Sequence, residues 1–172
     1  VRIDAGIAHD HVDDLIDVAR EINHAGHDPV LLTFDFMGAC RTVPVLPDHA
    51  VVASASVKDT DRTMWVSVQW ALPFGAVSSV YGWESVASAL TAVLRGCGLP
   101  CHLYVYGRFL VVPDGCGAEA RAAAELIVDV LGWLMEQDKS EGPAAALKIL
   151  GLLISLATVA VEARPDPAKL QV

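Results

Sequence analysis

Leu103-Tyr104-Val105-Tyr106-Gly107-Arg108-Phe109-Leu110-Val111-Val112 is the stretch that decides the fold. Aromatic and β-branched residues crowd both sides of Gly107-Arg108, so residues 102–112 predict a β-hairpin with that pair near its tip. Immediately upstream, residues 79–95 place Val80, Trp83, Val86, Ala87, Leu90, Val93 and Leu94 along one side of a helix. Gly96-Cys97-Gly98-Leu99-Pro100 ends it. Downstream, Gly115-Cys116-Gly117 leads into a helix over residues 118–135, rich in Ala and Leu.

Working outward, residues 9–25 predict an amphipathic helix. Asp10 or His11 opens it, and Val12, Leu15, Ile16, Ala19 and Ile22 recur at helical spacing. Residues 30–36 predict a buried strand, and Val43 to Pro47 an extended segment, because each Pro biases its predecessor toward the β region. Residues 51–57 and 63–70 predict paired strands joined by the polar turn Lys58 to Arg62. Pro73-Phe74-Gly75 is a turn, Lys139 to Pro143 a loop, and residues 146–154 and 157–162 a last pair of strands. The expected fold class is α+β, a mostly antiparallel sheet with helices packed on one face. Residues 1–163 are expected to form one domain and residues 164–172 an extended tail. Expected core residues are Val30, Leu32, Phe34, Val66, Val68, Leu90, Leu110, Leu126, Val130 and Leu150.

Composition narrows the function classes. Of the 172 residues, 53% are hydrophobic and 19% charged. With the 13 glycines counted and the 3 tyrosines left out, the apolar share is about 59%, against ~45–50% in typical globular domains. Such a chain carries more apolar surface than one core readily hides. The 21 acidic and 12 basic residues give a net charge of −9. The basic residues are scattered and form no stripe, which argues against a nucleic-acid partner. Cys40, Cys97, Cys101 and Cys116 read as free buried thiols in a chain long enough to fold without staples. A zinc site from Cys97, Cys101, His102 and Cys116 lacks a second matched ligand pair. His9 and His11 with Asp10, Asp13 and Asp14 read as a solvated helix start rather than a metal site. The apolar run from Ile149 to Val161 is too short to cross a membrane as a helix, so lipid contact is compatible but no span is expected. Residues 1–10 are mixed polar and do not read as a secretory signal. The expectation is an intracellular protein, an organelle being one compatible compartment.

Several of these segments resemble the motifs of the reverse-transcriptase-like palm domains of retroelements, in order and spacing, over residues 12–155. Phe34-Asp35-Phe36 resembles the strand that delivers the first metal-binding aspartate, and Arg41-Thr42-Val43-Pro44-Val45-Leu46-Pro47 resembles the Arg-x-x-Pro-Val-x-Pro continuation of one branch. Ala71-Leu72-Pro73-Phe74-Gly75-Ala76-Val77-Ser78 resembles the turn into the template-contacting helix. The 102–112 hairpin stands where that family carries Tyr-x-Asp-Asp. Leu131-Gly132-Trp133, Asp138-Lys139-Ser140 and Leu150-Gly151-Leu152 resemble the later palm motifs.

The resemblance implies a site, and the residues depart from it. Asp35 matches the first metal ligand. One alignment puts Tyr106 and Gly107 at the two acidic hairpin positions, and another puts Gly107 and Arg108 there. Either removes both carboxylates, and Arg108 would add a positive charge where two cations should sit. Asp114 lies ~20 Å further along an extended strand and cannot substitute. Cys40 matches an aromatic that excludes a ribose hydroxyl, and Lys139 matches the lysine that steers the nucleotide or protonates the leaving pyrophosphate. Asp35, Tyr106, Gly107, Arg108 and Lys139 are therefore remnant positions, with no working catalytic residue expected. Asp35 alone would hold a metal weakly at most, its simpler reading being a solvated carboxylate or one paired with Arg41. No cofactor is expected. Within this chain, the resemblance implies neither fingers ahead of Val12 nor a thumb after Leu156.

The function expected is a catalytically inactive palm kept as a structural, protein-binding subunit of a larger assembly, contacting other subunits through helix 118–135 and segment 144–161. One alternative is a fragment of a retroelement RNA-directed DNA polymerase. Another is non-catalytic binding of a small molecule in the old palm cleft.

Overall fold

The computed structural model describes residues 10–50, 53–73, 75–104, 106–149, 152–157 and 160–165. In chain order the elements are α1 (Val12–His24), β1 (Pro29–Phe34), β2 (Ser54–Lys58), β3 (Met64–Val68), α2 (Val77–Gly96), β4 (Cys101–Tyr104), β5 (Gly107–Pro113), α3 (Gly117–Val130), β6 (Glu141–Ala144), β7 (Ala146–Ile149), β8 (Leu152–Ala157) and β9 (Ala160–Pro165). The architecture is α+β, and every strand pairing described is antiparallel. Two compact units divide the described residues: 10–37 with 88–165, and 38–87.

In the larger unit, four strands form a sheet in the order β4-β5-β1-β6. β1 is buried along all six residues. It is a central strand covered on both faces, which is why Val30 to Phe34 read as a nearly unbroken apolar run. On one face Leu31, Phe109 and Val111 join Leu15 and Ala19 of α1 and Leu147, Ile149, Ile154 and Leu156 of β7 and β8 in one core cluster. Toward the other, the start of α3 comes close to β1 and β6: a Cβ on Gly117 would stand 2.7 Å from Pro143 Cβ and 3.3 Å from Val30 Cγ2. His11 caps the start of α1, and its backbone N–H donates to the Asp14 carboxylate at 2.7 Å. Asp13 and Asp14 in its first turn suit the positive end of the helix.

The smaller unit contains the β2–β3 ribbon and the first half of α2. All five residues of β3 are exposed. An isolated Pro44–Ala71 bridge joins the segments that flank the ribbon.

Several expectations need correction. Val66, Val68, Leu126 and Val130 are exposed rather than core. β3 belongs to a two-stranded ribbon with nothing described against either face. α3 buries Gly117, Ala120, Ala124 and Val128, so Leu126 and Val130 fall on its opposite side. Val30, Leu32, Phe34, Leu90 and Leu110 are buried as expected, and Leu150 lies outside the described residues. The helix expected over 118–135 stops at Val130, where Gly132 takes φ +80° and the backbone turns so that Met135 bridges Phe36. The loop expected at Lys139 to Pro143 gives way to β6 from Glu141 onward. That strand tolerates Pro143 because it is an edge strand, where a missing N–H costs no ladder bond. Gly142, at φ +93°, has no room for a Cβ, which would run into the Leu31 carbonyl oxygen. The last strand pair is three strands, β7-β8-β9. Within β7, Leu147 and Ile149 are buried while Ala146 and Lys148 are exposed, so this part of segment 144–161 alternates and feeds the chain's own core. β9 runs to Pro165 and so takes in the first two residues of the expected tail, whose remainder lies outside the described residues. The cysteines are free, with Cys40 and Cys101 buried but Cys97 and Cys116 exposed. Among the described residues no helix is long and apolar enough to cross a membrane.

Candidate functional site

The antiparallel register brings the C-terminal end of β1 to the N-terminal end of β5, since Phe34 pairs with Arg108. Asp35 follows Phe34, and Gly107 precedes Arg108. The strand ends therefore collect Asp35, Tyr106, Gly107 and Arg108, and the turn after α3 brings Lys139 beside Asp35.

Asp35 is half-buried. Its Oδ1 accepts the Phe36 N–H at 2.9 Å, and its Oδ2 lies 3.7 Å from Lys139 Nζ. Lys139 Nζ is also 3.7 Å from Glu136 Oε2, and the Glu136 N–H donates to the Asp35 carbonyl at 2.9 Å. The Asp35 carboxylate thus has a cation beside it already, and that cation is Lys139. Arg41, the alternative partner, belongs to the other unit.

At the hairpin, Tyr104 pairs with Gly107, so Tyr106 precedes the closing pair in the turn, and Val105 lies outside the described residues. Gly107 closes the turn, and Arg108 sits one pair further in, opposite Leu103 and Phe34. The Arg108 side chain is fully buried. Its Nη1 donates to the Tyr106 carbonyl at 3.1 Å, and its guanidinium carbon lies 4.5 Å from the centroid of the Phe36 ring. Phe36 in turn meets Trp133 edge-on at 6.3 Å. This is a cation–π stack, stronger for being desolvated. Gly107 is crowded: a Cβ built there would stand 2.8 Å from Phe109 Cζ, and Phe109 is itself buried. The ring of Phe109 fills the space that a side chain at position 107 would need.

A second polar cluster, remote in sequence, lies beside β4. Asp10 accepts from Arg95 Nη2 at 2.6 Å and from the Leu103 N–H at 2.6 Å. Burial acts to raise the Asp10 pKa, but the hydrogen bonds from Arg95 and Leu103 outweigh it and hold the carboxyl below its ordinary range. His102, next to Leu103, is buried and neither ring nitrogen has a hydrogen-bond partner. Burial pulls its pKa down, against the opposing charge of Asp10. Desolvation pushes the buried Cys101 thiol up to about 12, so it is inert as a nucleophile or metal ligand. Among the described residues no three His, Cys, Asp or Glu side chains are placed to hold a metal ion.

In the smaller unit, Cys40 Sγ lies 3.7 Å from the Ser79 carbonyl. Arg41, Ser54, Gln69, Trp70 and Pro73 help to line an open groove of about 930 Å³.

The sequence reading missed Phe109, Phe36, Glu136 and the Asp10–Arg95 pair. Glu136 was findable from its three-residue spacing to Lys139. The Asp10–Arg95 contact spans 85 positions and leaves no local signal.

No family model matches the chain, and no curated protein matches it. Solved structures do. The chain is similar to a foamy viral protease-reverse transcriptase in complex with an RNA/DNA hybrid, with a TM-score of 0.58 at 15% identity over 74% of this chain and 16% of that one. It is similar to telomerase from Candida albicans in complex with a fragment of telomeric RNA, with a TM-score of 0.63 at 12% identity over 91% of this chain and 35% of the other. Apo telomerase from Candida tropicalis gives 0.62 at 11% identity, over 88% and 39%. At such identities the likeness is one of fold, and the chain spans well under half the length of each of these proteins. The fold is α+β and resembles the palm of the reverse-transcriptase class.

Proposed function

We propose that this chain is a reverse-transcriptase-like palm that does not polymerise and that serves as a structural, protein-binding subunit of a larger assembly. The observation that carries this reading is the Phe109 ring packed over Gly107. Phosphoryl transfer on this scaffold needs metal ions held between several carboxylates. Gly107 stands at an acidic position in either alignment, and the space beside it is taken by an apolar ring. Asp35 keeps a carboxylate, but Lys139 already stands beside it. The apolar excess of the composition and the exposed Leu126, Val130, Leu131 and Leu134 supply the protein-binding half of the proposal.

The test is primer extension. The purified chain is incubated with primed RNA template, four dNTPs and Mg²⁺ or Mn²⁺. No extension above an Asp35→Ala control is expected, and extension that Asp35→Ala abolishes would overturn the reading. The polymerase-fragment alternative draws on the short share of each neighbour that the chain covers. It expects metal binding to return in Tyr106→Asp/Gly107→Asp with Phe109 left in place.

A further inference from the structure

We infer that the outer face of α3 is the docking surface for an amphipathic helix rimmed by basic residues, contributed by a different protein. The inference rests on the structural-subunit reading and names its partner chemistry. α3 buries Gly117, Ala120, Ala124 and Val128. Its opposite side presents Ala118, Ala122, Leu126 and Val130 at four-residue intervals, all exposed. Leu126 is 63% and Val130 75% exposed, and Leu131 and Leu134 are exposed just beyond the helix end. Ala118 and Ala122 lie low and Leu126 and Val130 stand high along one row of the helix surface. Such a row is what a second helix packs against by ridges into grooves, with small residues permitting close approach.

The charges beside the row select the partner. Glu119 and Asp129 are exposed along it. Arg121, the one basic residue of α3, is engaged with Glu125 at 3.0 Å and with the Gly142 carbonyl at 2.7 Å. The rim is therefore acidic on an acidic protein. A second copy would bring the same carboxylates face to face, and an anionic lipid surface would be repelled. Lysines or arginines flanking an apolar stripe would be attracted, which gives both specificity and a faster encounter.

The experiment uses the full chain and two designed helical peptides of about 20 residues, long enough to hold a helix in water. They share one Leu/Ala face and differ only in flanking Lys or flanking Glu. Fluorescence anisotropy should show the Lys-flanked peptide binding at least about tenfold more tightly, with the gap narrowing as salt is raised. Leu126→Glu should weaken that binding about tenfold, with an unchanged circular dichroism spectrum and melting temperature, since the side chain is exposed. Glu119→Lys/Asp129→Lys should reverse the preference toward the Glu-flanked peptide. Equal binding of the two peptides, or a preference that survives the charge reversal, would overturn the inference. So would a dimer in sedimentation that Leu126→Glu dissolves, or Leu126-dependent binding to phosphatidylcholine vesicles, because a second copy or lipid would then cover the face. Primer extension in the same preparation separates the two claims: extension defeats the structural-subunit reading, whereas peptide indifference defeats only this surface.

Discussion

β5 and β3 invite comparison. Phe109-Leu110-Val111-Val112 and Met64-Trp65-Val66-Ser67-Val68 are both apolar strands in antiparallel ribbons, yet the first is buried throughout and the second exposed throughout. The difference is neighbours. β5 lies between β4 and β1 and contributes to a core shared with α1, β7 and β8. β3 pairs only with β2, and a lone two-stranded ribbon buries little. Apolar sequence marks what must be covered in the working molecule, and the element's partners decide whether the chain covers it itself.

The contrast can be broken most severely at the point where β6 meets β1. Gly142→Ala combines a left-handed backbone with a Cβ driven into the Leu31 carbonyl, and should cost more than ~3 kcal/mol, the range reserved for strain and clash at special backbone positions. Chemical denaturation should show it, and a loss under 1 kcal/mol would mean that β6 is not tightly held. Next, Leu110→Ala in β5 should cost ~2–5 kcal/mol, whereas Val66→Ala in β3 should stay within ~0.5 kcal/mol. Equal losses at the two positions would erase the comparison. Gly107→Ala should cost ~1–3 kcal/mol by overpacking against Phe109. Phe109→Leu should relieve much of that penalty, and simple additivity of the two changes would show that the ring does not press on position 107.

The pH dependence is a smaller and signed effect. Burial lowers the His102 pKa from its ordinary value of 6.5, so the folded state favours the neutral ring. Stability from this source is complete above 6.5 and declines as pH falls through the lower folded value. His102→Gln should flatten that decline. Asp10, also lowered, adds stability that is present above its ordinary 3.8 and is lost as pH falls below it. A melting temperature flat from pH 7 to 5 in the parent chain would contradict the His102 assignment. Smallest of all, Lys139→Ala should change stability by less than ~1 kcal/mol, because the pair with Asp35 is largely solvated.

Much of this was legible beforehand for physical reasons. α1 and α2 carry one-sided apolar spacing, β1 reads as a buried strand because both its faces are covered, and the 102–112 hairpin follows from residue type, although Arg108, expected near its tip, sits one pair further in. The register sets Asp35 at the strand end beside Gly107 and Arg108, and Lys139 lies next to Asp35. What could not be read is equally specific. Leu126 and Val130 lose the interior of α3 to smaller alanines, because the helix start approaches Pro143 and Val30 too closely for bulk. β6 hides behind Gly142-Pro143, a pair that reads as a turn until an edge position makes it tolerable. The Phe109 ring over Gly107 is a packing event between alternate residues of one strand, and nothing in the pattern announces it.

The central claim, that this palm no longer holds catalytic metal, is tested most directly by Mn²⁺ titration followed by electron paramagnetic resonance. The account predicts no saturable site that depends on Asp35, in the parent chain or in Gly107→Asp alone. A single stoichiometric site in the parent chain that vanishes in Asp35→Ala would contradict it.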